Sequence, residues 1–225
     1  MIVAAASTLQ ASTGMGMALF AAPLLALVDP ALVPGPALCA VMVLSLVVAW
    51  RERGTLDIRM LAPAILGLLF GTAIGAGLLA ILVGWHLAQM FAALILAAVL
   101  LSVLGLPIRA GKLSLLLGGV ASGVLGTMAG VHGPPIAIVL QHEPPERLRA
   151  MLCTFFAIGC AIALLALAGI GVFGVAGVGR SLTLLPGVVI GLAFTPLVAG
   201  RIDRRRARIA VLAISALSAL ALLLR

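Results

Sequence analysis

The chain reads as long apolar stretches punctuated by a few charges. Uncharged runs cover residues 1–28, 30–50, 60–108, 113–142, 150–179, 181–200 and 209–224. A helix rises about 1.5 Å per residue, so about 20 apolar residues cross the hydrocarbon core of a bilayer. Most of these runs therefore predict helices of crossing length. The run 60–108 is long enough for two, with Gly84, Trp85 and His86 marking the turn between them. The last run is short, but Arg208 and Arg225 can snorkel at its ends. The first run lacks a basic start and stays apolar to residue 28, unlike a cleavable signal peptide.

Two of the runs are interrupted. The first contains Gly14, Gly16 and Pro23; the second contains Gly126, Gly130, Gly133, Pro134 and Pro135. Breaks of this kind free backbone groups that lipid cannot satisfy, so they are placed where protein buries them or where they line a cavity. The two stretches echo each other, pairing Gly14 with Gly126 and Pro23 with Pro135. Each is followed by three plain apolar runs, which predicts two repeats, 1–104 and 113–225, within one membrane domain spanning 1–225. Paired broken segments in two halves point to a transporter's binding site.

Composition narrows the class. The chain is 64% hydrophobic and 9% charged over 225 residues, with a mean hydropathy of +1.35. That excludes an ordinary soluble domain, which averages about 25% charged residues, and a disordered chain. It is also too apolar for a barrel of alternating strands. The expected fold is an all-α polytopic membrane protein. Its formal charge of +8, from 14 Lys+Arg and 6 Asp+Glu, serves topology instead of nucleic acid. If all eight apolar segments cross, the basic residues divide evenly between the two sides. If the two broken segments are re-entrant and six segments cross, twelve of the 14 gather on one face, leaving Arg180 and Arg225 on the other. Positive residues favour the cytoplasm. The re-entrant arrangement therefore predicts inverted repeats, each a broken helix followed by three crossings, with periplasmic termini.

The chemistry available inside the membrane is sparse. All six acids lie in or beside loops, and Cys39, Cys153 and Cys160 fall in apolar runs as small core residues. No metal site, cofactor or catalytic group is expected. The ionisable group in a broken segment is His132, a hydrogen-bond donor to an anion or else a satisfied packing residue. Half-helix N-termini carry partial positive charge and orphan N–H groups, which suit an anion. Candidate substrate-binding residues are therefore Gln10, Ser12, Thr13, Gly14, Met15 and Gly16 at the first break. Those at the second are Thr127, Gly130, Val131, His132 and Gly133, with Ser122 nearby. Arg147 and Arg149 stand at the mouth, either as an electrostatic entry or as positive-inside anchors. The expected partners are a small anion and the lipid bilayer, with a homodimer left open and no nucleic acid.

The motifs Gly14-Met-Gly16 with Pro23-Leu-Leu, Ser122-Gly-Val-Leu-Gly126 and Gly130-Val-His-Gly-Pro-Pro-Ile136 carry a family resemblance. Arg149-Ala-Met-Leu and Gly191-Leu-Ala-Phe with Gly200-Arg extend it. Across essentially its whole length the chain resembles the TauE/SafE sulfite exporter family. The resemblance implies transport of sulfite, an organosulfonate or a related small organic anion across the bacterial inner membrane, and a cytoplasm held negative, which pushes anions outward, makes export the expected direction. The alternatives are an anion channel and, further off, an intramembrane hydrolase using Ser122 and His132.

Overall fold

The computed structural model describes residues 1–14, 16–82, 87–105, 108–198 and 204–224. Among them the chain is all helix, with no strand. Ten helices follow in order: α1 (Ile2–Thr13), α2 (Met17–Val28), α3 (Gly35–Arg51), α4 (Ile58–Leu82), α5 (Leu87–Leu104), α6 (Lys112–Ala129), α7 (Gly133–Leu140), α8 (Pro145–Gly169), α9 (Val175–Val198) and α10 (Arg204–Leu223). Short 3₁₀ turns lie at Pro30–Leu32 and Arg53–Thr55. The four helices α4, α6, α8 and α9 are long and apolar enough to cross a membrane, and shorter apolar helices accompany them. The chain is an all-α polytopic membrane protein.

The helix ends follow local chemistry. Asp57 Oδ1 accepts from Met60 N at 3.0 Å and caps α4. Pro144 and Pro145 stop the preceding turn, and Glu146 opens α8, where a carboxylate suits the positive helix end. Arg51 closes α3, where a cation suits the negative end.

Both breaks fall in the interrupted runs, and both use the same device. Gly14 (φ 88°) ends α1 and Gly130 (φ 74°) ends α6, each in the left-handed conformation that favours glycine. Gly14 N donates to the Gln10 carbonyl and Gly130 N to the Gly126 carbonyl. Gly14 and Gly130 thus hold the same local role at their breaks, while Gly126, which the sequence pairs with Gly14, lies four residues earlier inside α6.

At each break the chain turns back on itself. Ser7 Oγ donates to Met17 Sδ at 3.7 Å, although a straight helix would hold residues this far apart in sequence about 15 Å apart. At the second break the α-carbon of Gly118 looks onto Val139, Pro135 and Ile136 of α7, so α7 runs back along α6.

Around this centre the helices pair off. α4 lies along α6 and α1 along α9; α3 packs on α8 and α5 on α10. The helix α8 is the most enclosed of the four long ones and α9 the least. Large apolar side chains such as Leu66, Phe70, Ile74 and Ile81 on α4, and Val189 and Phe194 on α9, face outward, as a lipid-facing surface requires.

Candidate functional site

The two breaks meet at a small cavity. It is lined by Gln10, Gly16, Ala18 and Leu19 from the first break, Val131, His132, Gly133 and Pro134 from the second, and Val41 and Phe156 from α3 and α8. Its volume is about 10 Å³, room for roughly one water. A larger solute requires the surrounding groups to move.

The two helix ends facing this space differ. α2 begins at Met17, so the N–H groups of Met17, Ala18 and Leu19 have no partner within the helix's own first turn. Gly16 precedes it with φ 118°, a conformation a side chain would strain. Gln10 spans the break: its Oε1 accepts from Met17 N at 3.3 Å and its Nε2 donates to Ser45 Oγ on α3 at 2.9 Å. α7 begins with Gly133, Pro134 and Pro135. The two prolines carry no N–H, so this end offers mainly the amide of Gly133. The imidazole of His132 makes up the deficit. His132 is buried; its Nε2 has no side-chain partner among the described residues, and the Gly159 backbone lies beside the ring.

The position of that ring is set by two glycines. A methyl group on Gly126 would collide with the imidazole, and one on Gly159 of α8 would lie 3.0 Å from its Cδ2. Leu68 of α4 closes the same notch. The ring thus stands in a slot that any larger residue would fill.

Not every expected residue reaches this cavity. Gln10, Gly16, Val131, His132 and Gly133 line it. Ser12 and Thr13 do not; their hydroxyls donate to the carbonyls of Thr8 (2.7 Å) and Leu9 (2.8 Å), one turn back along α1. Gly14 and Gly130 shape the breaks without lining the space. Thr127 is buried on α6, its Cβ beside Gly75 of α4, and its Oγ1 has no partner among the described residues. Met15 lies outside the described residues, as do Gly84, Trp85 and His86 at the α4–α5 turn. Pro134, part of the second break, also lines it, and Ala18, Leu19, Val41 and Phe156 join the lining without a sequence signal of their own.

Arg147 and Arg149 are both paired. Arg147 reaches Asp57 at 2.8 Å and Glu143 at 3.1 Å, and Arg149 reaches Glu52 at 2.9 Å. Neither presents an uncompensated charge, and each ties the start of α8 to a neighbouring loop. Arg149 also packs its backbone and Cγ against Gly14, while Cys153 Sγ lies 4.0 Å from the Gly14 carbonyl. Glu52→Gln is expected to cost about 1 kcal/mol, a fall of roughly 2–4 °C in the unfolding midpoint. Thermal unfolding in detergent checks this, and the difference should shrink at high salt.

Among the described residues no three His, Cys, Asp or Glu side chains gather as a metal site would require. No carboxylate lines the cavity. Two buried, glycine-broken helical hairpins meeting at such a cavity define a helical membrane transport protein. Residues 1–222 match the family described as Sulfite exporter TauE/SafE, and the chain belongs to that family. No curated protein and no solved structure matches it.

Proposed function

We propose that the chain is a carrier that exports a small anion, sulfite or an organosulfonate, across the bacterial inner membrane through the cavity between its two breaks. One observation carries this reading. Ala18 and Leu19 of the first turn of α2, Gly133 at the start of α7 and His132 line one small space that no carboxylate lines. Such a space offers donors and partial positive charge, which stabilise an anion and repel a cation.

The architecture we infer is a pair of inverted repeats, 1–104 and 113–225, with both termini periplasmic. The packing supports it. Exchanging the halves turns the α4–α6 pair into α9–α1, the α3–α9 pair into α8–α4, and the α2–α10 pair into α7–α5, while α3–α8 and α5–α10 map onto themselves. The twelve basic residues on one face support the orientation.

Export follows from energetics. With a cytoplasm held negative, each negative charge leaving gains about 2.3 kcal/mol per 100 mV. No buried carboxylate is needed for coupling. A cavity of only about 10 Å³ favours a carrier over an open channel. Ser122 Oγ and His132 Nε2 each lack a side-chain partner among the described residues, so they are not bonded as a nucleophile and its base would be. That geometry disfavours a hydrolase.

The test is binding and flux with purified protein. Sulfite, thiosulfate, sulfate, sulfoacetate and simple carboxylates are titrated in a thermal-shift assay. A ligand at about 100 times its Kd should stabilise the fold by about 2.7 kcal/mol. In liposomes, flux of that ligand should saturate and should respond to the membrane potential. Linear flux would favour a channel, and no stabilisation by any member of the panel would overturn the anion site.

A further inference from the structure

We propose that Gln10 is an internal stand-in for the substrate: its carboxamide oxygen fills the anion's place at the start of α2 and is displaced when the anion binds. The inference rests on the anion-site reading above and adds to it the residue that sets how tightly the site holds its ligand.

The orientation of the carboxamide is fixed by its partners. Met17 N–H can only donate, so the group facing it must be the carbonyl oxygen. The amide nitrogen then points to Ser45 Oγ, at 2.9 Å. Gln10 and Ser45 are both fully enclosed, at 1% and 0% exposure. Yet the bond to Met17 N is 3.3 Å long, at the weak end of the range for N–H donors. The same Gln10 lines the cavity. Its oxygen is therefore a neutral, loosely held acceptor, seated on a positive helix end and bordering the space where an anion would arrive.

A second buried polar residue stands at the same cavity. His132, 3% exposed, lines it, and its Nε2 is lodged between Gly126 and Gly159 beside the Gly159 backbone, with no side-chain partner among the described residues. A buried polar group so weakly satisfied is costly. The two breaks solve the empty state differently. α2 has amides to protect, and Gln10 protects one. α7 opens with prolines that have no amide to protect, and the residue four before its Gly130 is Gly126, which has no side chain. In its place stands the ring of His132.

The displacement follows from charge. An ionised oxygen makes a shorter bond to an N–H than a neutral amide oxygen, and one roughly twice as strong. An incoming oxyanion such as sulfite outcompetes the Gln10 carbonyl for Met17 N–H, and the side chain remains tethered through Ser45. In the empty state the same carbonyl keeps the helix end satisfied, which lets the cavity close.

The experiment is a sulfite titration of the full chain in detergent at pH 8, by calorimetry and thermal shift. Gln10→Met keeps the volume and removes the competing oxygen; sulfite should bind about tenfold more tightly, and the ligand-free protein should melt earlier. Ser45→Ala loosens the tether and should tighten binding a few-fold. Gln10→Glu installs a fixed competing anion and should weaken sulfite at least tenfold. Weaker binding by Gln10→Met would make Gln10 a direct ligand and overturn the proposal, as would Kd values unchanged in both Gln10→Met and Ser45→Ala. These two variants decide the matter even where Gln10→Glu fails to fold. Wild-type protein that binds no anion in the panel overturns the anion site itself, and the stand-in with it. Intact wild-type binding with unmoved variants overturns the stand-in alone.

Discussion

Gly119→Ala is expected to abolish the folded protein, although the same change at Gly77, on the partner helix, should be harmless. The two helices concerned, α4 and α6, lie closer than side chains permit. A methyl group on Gly119 would collide with the Ala64 carbonyl oxygen, and would stand 2.9 Å from its carbon and 3.0 Å from its Cα. Gly67 and Gly71 meet the Leu116 and Val120 carbonyls in the same way, and Gly123 lies against Leu68 O and Thr72 N. All of these are backbone atoms, which cannot rotate away as a side-chain tip can. The only relief is to part the helices along their length. Overpacking costs about 1–3 kcal/mol where side chains adjust, and a rigid backbone contact belongs at the upper end or above it. In lipid the loss is compounded, because close packing itself drives helix association there. A methyl group on Gly77 would meet nothing within 4 Å, and alanine is worth up to about 1 kcal/mol more than glycine within a helix. Size-exclusion profiles and unfolding midpoints in detergent compare the two. A Gly119→Ala protein with wild-type yield and midpoint would show that the helices have slack.

That interface also marks how far the amino-acid sequence speaks. Charges punctuate the chain, and the helices end where the punctuation stands: α3 stops at Arg51, and α8 starts at Pro145 beside Glu146. The two breaks are visible as glycine and proline inside uncharged runs, because lipid penalises loose backbone. What each glycine does is not visible. Gly14 and Gly130 are needed for a left-handed turn, Gly67 and Gly119 for backbone contact, Gly126 for a histidine ring, yet the letter is the same. With 26 glycines in the chain, a one-turn slip still aligns glycine with glycine, so the echo alone does not single out the glycine that ends each helix. Ser12 and Thr13 sit beside the break in sequence, but their hydroxyls serve their own helix. Arg147 and Arg149 meet acids some ninety residues away, which only the packing of α8 against the loop after α3 brings near. Phe156 and Val41 enter the cavity wall for the same reason.

His132→Leu should leave the protein at least as stable as the wild type while lowering sulfite flux about 10- to 100-fold. Most losses of function carry a loss of stability, so this opposition is the signature of a residue kept for its ligand. His132 Nε2 is buried with no side-chain partner among the described residues, only the Gly159 backbone beside the ring, and replacing a poorly satisfied buried polar group by an apolar one of similar volume removes a penalty of up to about 1–3 kcal/mol. The same nitrogen, donating to an anion, is worth about 1.5–3 kcal/mol, and each 1.4 kcal/mol is about tenfold in affinity. His132→Gln, which keeps an N–H donor on a flexible stem, should recover part of the flux. Gly126→Ala provides the geometric control. It pushes directly on the imidazole, so it should lose both stability and transport. Adding His132→Gly to that variant frees the slot and should restore the folded yield without restoring flux. Gly118→Ala, on the same helix, is tight only against Val139 Cγ2 at 3.1 Å, with Pro135 O and Ile136 Cα at ordinary contact distances of 3.5 and 3.8 Å, and should fold and transport close to normally. If His132→Leu melts several degrees early and transports at the wild-type rate, the ring is a packing residue, and the anion must be held by the amides of α2 alone.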